Sequence, residues 1–146
     1  MIVYASMTGT TELMAQTIAD ELIKAGDQVI IKDALAVYAE ELQSYERILV
    51  GSYTWGDGGL SDEILAFYDE LTEVDLTGKV AAAFGSGDST YEQFARAVDL
   101  LEEALQNQGC TILTKGLKVD SGLEDEVEIE LKCRGFVNRL IGMLSA

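Results

Sequence analysis

Six residues near the start of the chain, SMTGTT at 6–11, could bind an anion without any basic side chain. Four of the six carry a hydroxyl, and Gly9 allows the backbone to turn closely around a bound group. An apolar run at 2–5 precedes them, and a helical pattern opens at Glu12. The free N–H groups and the dipole at a helix start favour an anion. The stretch therefore predicts a phosphate-binding turn between a buried strand and a helix.

Two later stretches share this composition, YTWGDGGLS at 53–61 and GSGDSTY at 85–91. Each follows an apolar run that predicts a strand, and they add the aromatic residues Trp55 and Tyr91. Ligands of open parallel sheets bind beyond the carboxyl ends of the strands, so the three loops are expected to converge. Together they would offer a phosphate cradle and two flat aromatic faces, which suits a planar ring that carries a phosphate.

Each of these features also has a purely structural interpretation. A hydroxyl before a helix is often only an N-cap, although four hydroxyls exceed what one cap needs. Trp55 could be a core residue, but the GDGG that follows it at 56–59 is typical of an exposed loop. Tyr91 could begin the next helix and pack against that helix as a staple, which leaves its role open. Asp57 and Asp88, taken alone, are ordinary turn residues.

Apolar segments alternate with helical patterns from end to end of the 146 residues, which predicts a single domain over residues 1–146. Strands are predicted at 2–5, 28–32, 47–52, 79–84 and 111–119, the last with a possible break at Gly116. Helices are predicted at 12–25, 40–43, 62–71, from about 94 to 108, and 124–144. This alternation implies a parallel sheet with right-handed crossovers and helices on both faces.

Helical spacing of apolar residues predicts which helix faces are buried. The predicted inner residues are Ala15, Ile18, Ala19 and Leu22 in the first helix, and Ile64, Leu65 and Tyr68 in the second. In the later helices they are Phe94, Ala97, Val98, Leu101, Leu105, Cys133, Phe136, Val137, Leu140 and Leu144. The two cysteines, Cys110 and Cys133, are expected to be buried and to form neither a disulfide framework nor a metal site.

The composition excludes several classes of function. The chain has no histidine. It therefore lacks the usual general base, and the sequence excludes the serine and cysteine catalytic triads and most zinc and copper sites. Its net charge of −16 repels nucleic acid and anionic lipid and favours basic protein partners, although a general solubility effect explains the charge equally well. No apolar run approaches the ~20 residues that cross a bilayer, and no signal peptide is evident, so a cytoplasmic protein is expected.

The other common phosphate-binding motifs do not fit. No GxxxxGK[ST] sequence is present, and the nearest match to GxGxxG, at 85–90, lacks the last glycine. A phospho-accepting receiver domain would need acidic residues after the first strand, where this chain has Ser6, Met7 and Thr8.

The sequence resembles a flavodoxin of the short-chain type over its whole length. The resemblance rests on three segments, IVYASMTGTTELMA, GSYTWGDG and FGSGDSTYEQF. The resemblance implies a doubly wound α/β fold with a five-stranded parallel sheet of strand order 2-1-3-4-5. Flavodoxins are the type example of this order, so the order comes from the resemblance. The resemblance implies non-covalently bound FMN and low-potential one-electron transfer between a reductase and acceptor enzymes. It implies a monomer and no enzymatic turnover of its own. Its partners would be flavin or iron–sulfur reductases and acceptor enzymes with basic docking faces.

The resemblance also implies roles for individual residues. The phosphate would be held by Ser6, Thr8, Gly9, Thr10 and Thr11. Most relatives have asparagine at the position of Thr10, which makes its own phosphate contact an open question.

The ring would lie between Trp55 on its inner face and Tyr91 on its outer face, with Asp57 adding negative charge nearby. The ring edge and ribityl chain would meet the backbones of Thr54, Gly56, Gly87 and Asp88. The expected cofactor-binding set is completed by Met7, Tyr53 and Ser86, with the role of Tyr53 open.

Gly56 has a mechanistic role in this resemblance. Its peptide would flip when the flavin takes its first electron, so that its carbonyl accepts a hydrogen bond from the ring nitrogen N5. Glycine makes that flip easy because it tolerates positive φ. The three loops contain no histidine, lysine or arginine, so the anionic, fully reduced flavin would be disfavoured and its potential low.

Two other functions are compatible with the same site. An FMN-dependent quinone or nitro reductase would bind NAD(P)H itself, but the short chain and the absence of basic residues in the three loops speak against it. A binding module without redox activity is the third hypothesis, and it predicts that FMN does not bind.

Overall fold

The computed structural model describes residues 1–6, 9–55 and 59–145, without the side chains of Trp55 and Ser145. The strands are β1 Ile2–Ala5, β2 Ile31–Asp33, β3 Arg47–Trp55, β4 Gly59–Leu60, β5 Val80–Gly87, β6 Thr111–Ile112 and β7 Leu117–Asp120. The helices are α1 Thr10–Lys24, α2 Asp62–Leu71, α3 Arg96–Asn107 and α4 Glu126–Ser145, with 3-10 turns at Ala34–Ala36 and Ala39–Ser44.

The sheet runs β2-β1-β3-β5, and the fifth position is shared by β6 and β7, which both pair parallel to β5. This confirms the predicted order 2-1-3-4-5 and the predicted break at Gly116. At that residue the N–H donates to Glu102 Oε1 at 2.9 Å, and a Cβ would overlap the side chain of Val98. The short strand β4 was not predicted, and it pairs antiparallel with the end of β3.

Two apolar layers cover the sheet. One includes buried residues of α2 and α3, and the other includes buried residues of α1 and α4. The predicted inner faces are largely confirmed, but Leu65 is wrong, since it is 42% exposed while Phe67 is buried. Because α2 packs through Ile64, Phe67 and Leu71, spaced i, i+3 and i+7, its inner face is rotated from the predicted one. Cys110 and Cys133 are both free and buried, as predicted.

The strand ends near the site differ from the sequence prediction. β3 continues through Tyr53 and Thr54 to Trp55, and β5 continues to Gly87, where loops were predicted. The extension of β5 is stabilised by its pairing with β7, in which Gly85 lies opposite Lys118 and Gly87 opposite Asp120. Such long-range pairing leaves no periodic signal in a run of glycine and serine. β2 also lies later than predicted, at 31–33 and not 28–32.

Candidate functional site

The carboxyl ends of β1, β3 and β5 lie side by side in the sheet. Ala5 is opposite Ser52, and Ser52 is opposite Gly85. The residues that follow in each strand or loop, Ser6, Tyr53 and Ser86, therefore begin one shared edge. The structure thus brings together the three stretches that the sequence analysis singled out.

The first turn of α1 opens at this edge without a side-chain cap. Gly9 is the N-cap residue, with φ of 92°, and none of the described side chains accepts from the helix start. The Ser6 hydroxyl accepts from the Gly9 N–H at 3.1 Å, just before the helix. A Cβ at Gly9 would meet no atom within 4 Å, so space is open there. Met7 and Thr8 lie outside the described residues.

The first N–H groups of a helix have no partner within the helix, so an N-terminus that no described side chain caps, with open space at Gly9, is suited to an anion. This arrangement fits a phosphate group better than a simple capping turn. Thr10 opens the helix and is half-buried.

Thr11 and Ser86 meet inside the protein. The Thr11 Oγ1 and Ser86 Oγ atoms are 2.9 Å apart, and both side chains are buried. The bond joins the first turn of α1 to the end of β5. The hydroxyl of Thr11, expected to contact a phosphate, thus has a protein partner, while its backbone remains in the first helical turn.

Strand β3 is fixed near its end by two side chains. The buried Tyr53 donates its phenolic hydroxyl to Glu63 in the first turn of α2. Burial and this hydrogen bond raise the pKa of Tyr53, and the same bond lowers the pKa of Glu63. The hydroxyl of Thr54 accepts from the Ala97 N–H at 3.1 Å, at the start of α3. The predicted roles of Trp55, Gly56 and Asp57 lie outside the described residues, except for the backbone of Trp55.

The loop after β5 is organised by Asp88. Its Oδ1 accepts from the Thr90 N–H at 2.9 Å and from the Thr90 hydroxyl at 2.7 Å. The Asp88 carbonyl accepts from the Tyr91 N–H at 3.1 Å. Tyr91 is 44% exposed and lies in this turn, five residues before α3, so the helix-start interpretation of Tyr91 is wrong.

Gly87 is required by close packing at the same loop. A Cβ there would lie 2.7 Å from the backbone nitrogen of Ala95, which has the left-handed φ of 49°. Contacts under 3 Å force a shift of the backbone. Gly87 is therefore buried with no room for a larger residue, and the exposed Asp88 follows it at the edge of the sheet.

Comparison with known proteins agrees with this geometry. The family model described as flavodoxin matches residues 2–132. The chain is similar to probable flavodoxin 2 of Bacillus subtilis, with 40% identity over 90% of this chain and 87% of that protein. It is also similar to a flavodoxin of Maridesulfovibrio salexigens, with 37% identity over 87% of this chain and 90% of that one. The crystal structure of oxidised flavodoxin 1 from Bacillus cereus superimposes with a TM-score of 0.89, at 42% identity, over 97% of this chain and 95% of that one.

The chain belongs to the flavodoxin family. Flavodoxins are electron-transfer flavoproteins that use FMN, and they are not enzymes of substrate turnover. The chain is therefore an FMN-dependent electron carrier, and the alternative of a quinone or nitro reductase is not favoured.

Sequence reasoning missed three residues that hold the third loop of this flavodoxin. The Ser89 hydroxyl donates to the carboxylate of the buried Asp120, and this bond is the main cause that lowers the pKa of Asp120. The Ser121 N–H donates to the Gly87 carbonyl at 2.9 Å. A signal was available, because Asp120 directly follows the fifth predicted strand, at 111–119, and so had to reach the same edge as Gly87.

The electrostatics of the flavodoxin site are negative. The stretches 6–11, 53–61 and 85–91 contain no lysine or arginine. The nearby cation Lys118, in β7, is paired with Asp99 at 2.7 Å. Among the described residues no cluster of three or more acidic, cysteine or histidine side chains could hold a metal ion. Within the same residues, every helix is too short or too polar to cross a membrane.

Proposed function

We propose that the chain is a low-potential one-electron carrier, a single FMN-binding domain over residues 1–146, working as a cytoplasmic monomer. The observation that carries the position of the cofactor is the start of α1, which no side chain of the described residues caps and which opens beside the ends of β3 and β5. FMN is the group that supplies the redox chemistry, because its ring system accepts and donates electrons singly.

The phosphate is held by the first turn of α1 and the loop before it. The helix N–H groups and the hydroxyls of Ser6, Thr8 and Thr10 are the donors, with Met7 and Gly9 shaping the loop. Thr11 contributes through its backbone N–H, because its side chain is bonded to Ser86. Ser86 therefore positions the first turn of α1 through its hydrogen bond to Thr11.

The ring system is flanked by Trp55 and by the exposed Tyr91, and its edge meets the backbones of Thr54, Gly56, Gly87 and Asp88. Tyr53 positions this part of β3 through its bond to Glu63 and does not itself need to touch the cofactor. Asp57 and Asp88 add negative charge, and the loops offer no cation to balance an extra electron. These charges lower the reduction potential of the bound flavin. For a one-electron couple, each ~59 mV corresponds to about 1.4 kcal/mol.

The partners are reductases and acceptor enzymes with basic docking faces. The net charge of −16 attracts such faces and accelerates encounter, and the attraction weakens as salt rises.

The phosphate cradle is tested by titrating the apoprotein with FMN and with riboflavin, which lacks the phosphate. Loss of the helix-bound anion is expected to weaken binding at least about a hundredfold, roughly 2.7 kcal/mol. Inorganic phosphate at millimolar concentration is expected to compete with FMN and not with riboflavin. Equal affinities for the two flavins would contradict the proposed position of the phosphate.

A further inference from the structure

Three aliphatic side chains are exposed in the turn before α4 and in the first turns of that helix. Leu123 is 78% exposed, Val127 64% and Leu131 58%. We call them the α4 stripe. Val127 and Leu131 are one helical turn apart and lie in a row on the surface of α4, and Leu123 lies in the turn three residues before the helix begins. The opposite side of α4 packs into the core through Ile129 and Cys133.

Single exposed apolar residues are ordinary, but an aligned row with a polar rim marks an interaction site. The α4 stripe has such a rim. Residues 121–131 contain five acidic side chains and no lysine or arginine. Asp125, Glu126 and Glu128 are exposed, and Glu124 and Glu130 are partly buried.

The nearest cations along the helix do not neutralise the middle of this rim. Lys132 is paired with Glu124 at 2.7 Å. Arg134 is paired with Glu21 of α1 at 3.3 Å and with Glu130 at 3.9 Å. Glu126 and Glu128, on either side of Val127, are exposed. The stripe therefore lies within a negative field.

The stripe begins at the turn that holds the third loop of the flavin site. Ser121 donates its N–H to Gly87 at 2.9 Å, and Ser89 donates to Asp120. The Gly122 N–H donates to the same Asp120 carboxylate at 2.9 Å, just before Leu123. A protein seated on the stripe would consequently lie next to the loop that carries Tyr91.

We propose that the α4 stripe is the docking surface for a redox partner protein that presents an apolar patch flanked by lysine or arginine. The proposal rests on the electron-carrier function proposed above. Charge complementarity selects this occupant. A second copy of this chain, at a net charge of −16, would bring its own exposed carboxylates against these, and an anionic membrane would be repelled in the same way.

The two parts of this surface act differently on the rate of electron transfer. Carboxylates steer a cationic partner over long distances, so their contribution falls with ionic strength. The aliphatic row is buried only after contact, and its contribution is independent of salt. Removing the row should therefore lower the rate equally at every ionic strength.

The test uses the reduced holoprotein and a cationic c-type cytochrome as the electron acceptor, followed by stopped-flow absorbance over a series of salt concentrations. Val127→Ser with Leu131→Ser is expected to lower the second-order rate constant about tenfold, consistent with losing two buried aliphatic contacts, with an unchanged salt dependence. Glu126→Gln with Glu128→Gln is expected to reduce the salt dependence itself.

The matched control is Ile23→Ser with Met143→Ser, two residues of similar exposure, 55% and 54%, near the other ends of α1 and α4. It is expected to leave the rate unchanged. If the stripe variant falls no further than this control, the α4 stripe is not the docking surface. If the wild-type holoprotein transfers no electrons to the cytochrome at all, the carrier function itself is contradicted, and the docking surface with it.

A second measurement maps the contact directly on the folded holoprotein. Titration of ¹⁵N-labelled holoprotein with the redox-inactive zinc form of the same cytochrome is expected to perturb the amide signals of residues 123–131. Perturbation confined to residues 9–13 and 88–91 would overturn the proposal.

Discussion

The hydroxyl groups of Thr11 and Ser86 are 2.9 Å apart and buried, and they connect the first turn of α1 to the end of β5. The two residues are 75 positions apart in the chain. The proposed phosphate cradle and the third loop are therefore linked by a buried hydrogen bond, so a change at either residue is expected to affect both.

Thr11→Val and Ser86→Ala are each expected to destabilise the apoprotein. Each leaves the other hydroxyl buried without its partner, which costs roughly 1–3 kcal/mol. The double variant should cost less than the sum of the two, because no orphaned hydroxyl remains. Urea unfolding of the four proteins measures this coupling, and strictly additive losses would show that the hydroxyl pair does not form.

Asp120→Asn is expected to lower stability more at neutral pH than at acid pH. The folded pKa of Asp120 lies below its ordinary value of 3.8, so the carboxylate stabilises the fold above that pH. This stabilisation is lost as the pH falls below 3.8 through the folded pKa. The difference in unfolding free energy between wild type and variant should shrink from pH 7 to pH 3, and a difference independent of pH would exclude an ionised Asp120 as the acceptor.

Gly85→Ala is expected to destabilise the protein by about 1–3 kcal/mol, because the added methyl would overlap the carbonyl oxygen of Ser52 in the neighbouring strand. It would also lie 2.9 Å from the Val98 side chain. FMN affinity should fall as well, since the two strands must separate at the edge of the site.

The control is Gly142→Ala in α4, where a Cβ meets no atom within 4 Å. It should stabilise the helix by roughly 0.5–1 kcal/mol. Thermal unfolding and FMN titration of both variants compare the two effects, and equal behaviour would contradict the tight packing of β3 against β5.

Both thiols are expected to resist modification in the folded protein. Burial, aided by the charge of Glu130, raises the pKa of Cys133 to about 12. Burial also raises the pKa of Cys110, against a smaller opposing effect of Lys79. Very little thiolate is then present at pH 8, and thiolate is the reactive form. A colorimetric thiol reagent should react slowly with the native protein and with two thiols after denaturation, whereas rapid reaction in the native state would contradict this burial.

The sequence predicts the strand order through a family resemblance and the alternation of elements through apolar periodicity. Those properties are local, or are shared by relatives. What it did not predict depends on pairing between distant residues. The strand character of Gly85 and Gly87 comes from β7, and the bond of Ser89 to Asp120 comes from the meeting of two loops. Leu65 was misplaced because a few apolar residues in a short helix define its inner face only loosely.

The central claim, one-electron transfer by bound FMN, is tested most directly by a potentiometric titration of the holoprotein with visible absorbance. The expected result is two separated one-electron steps, the second at a potential well below that of free FMN, because the loops offer no cation to the doubly reduced ring. A single two-electron step, at or above the potential of free FMN, would contradict the claim.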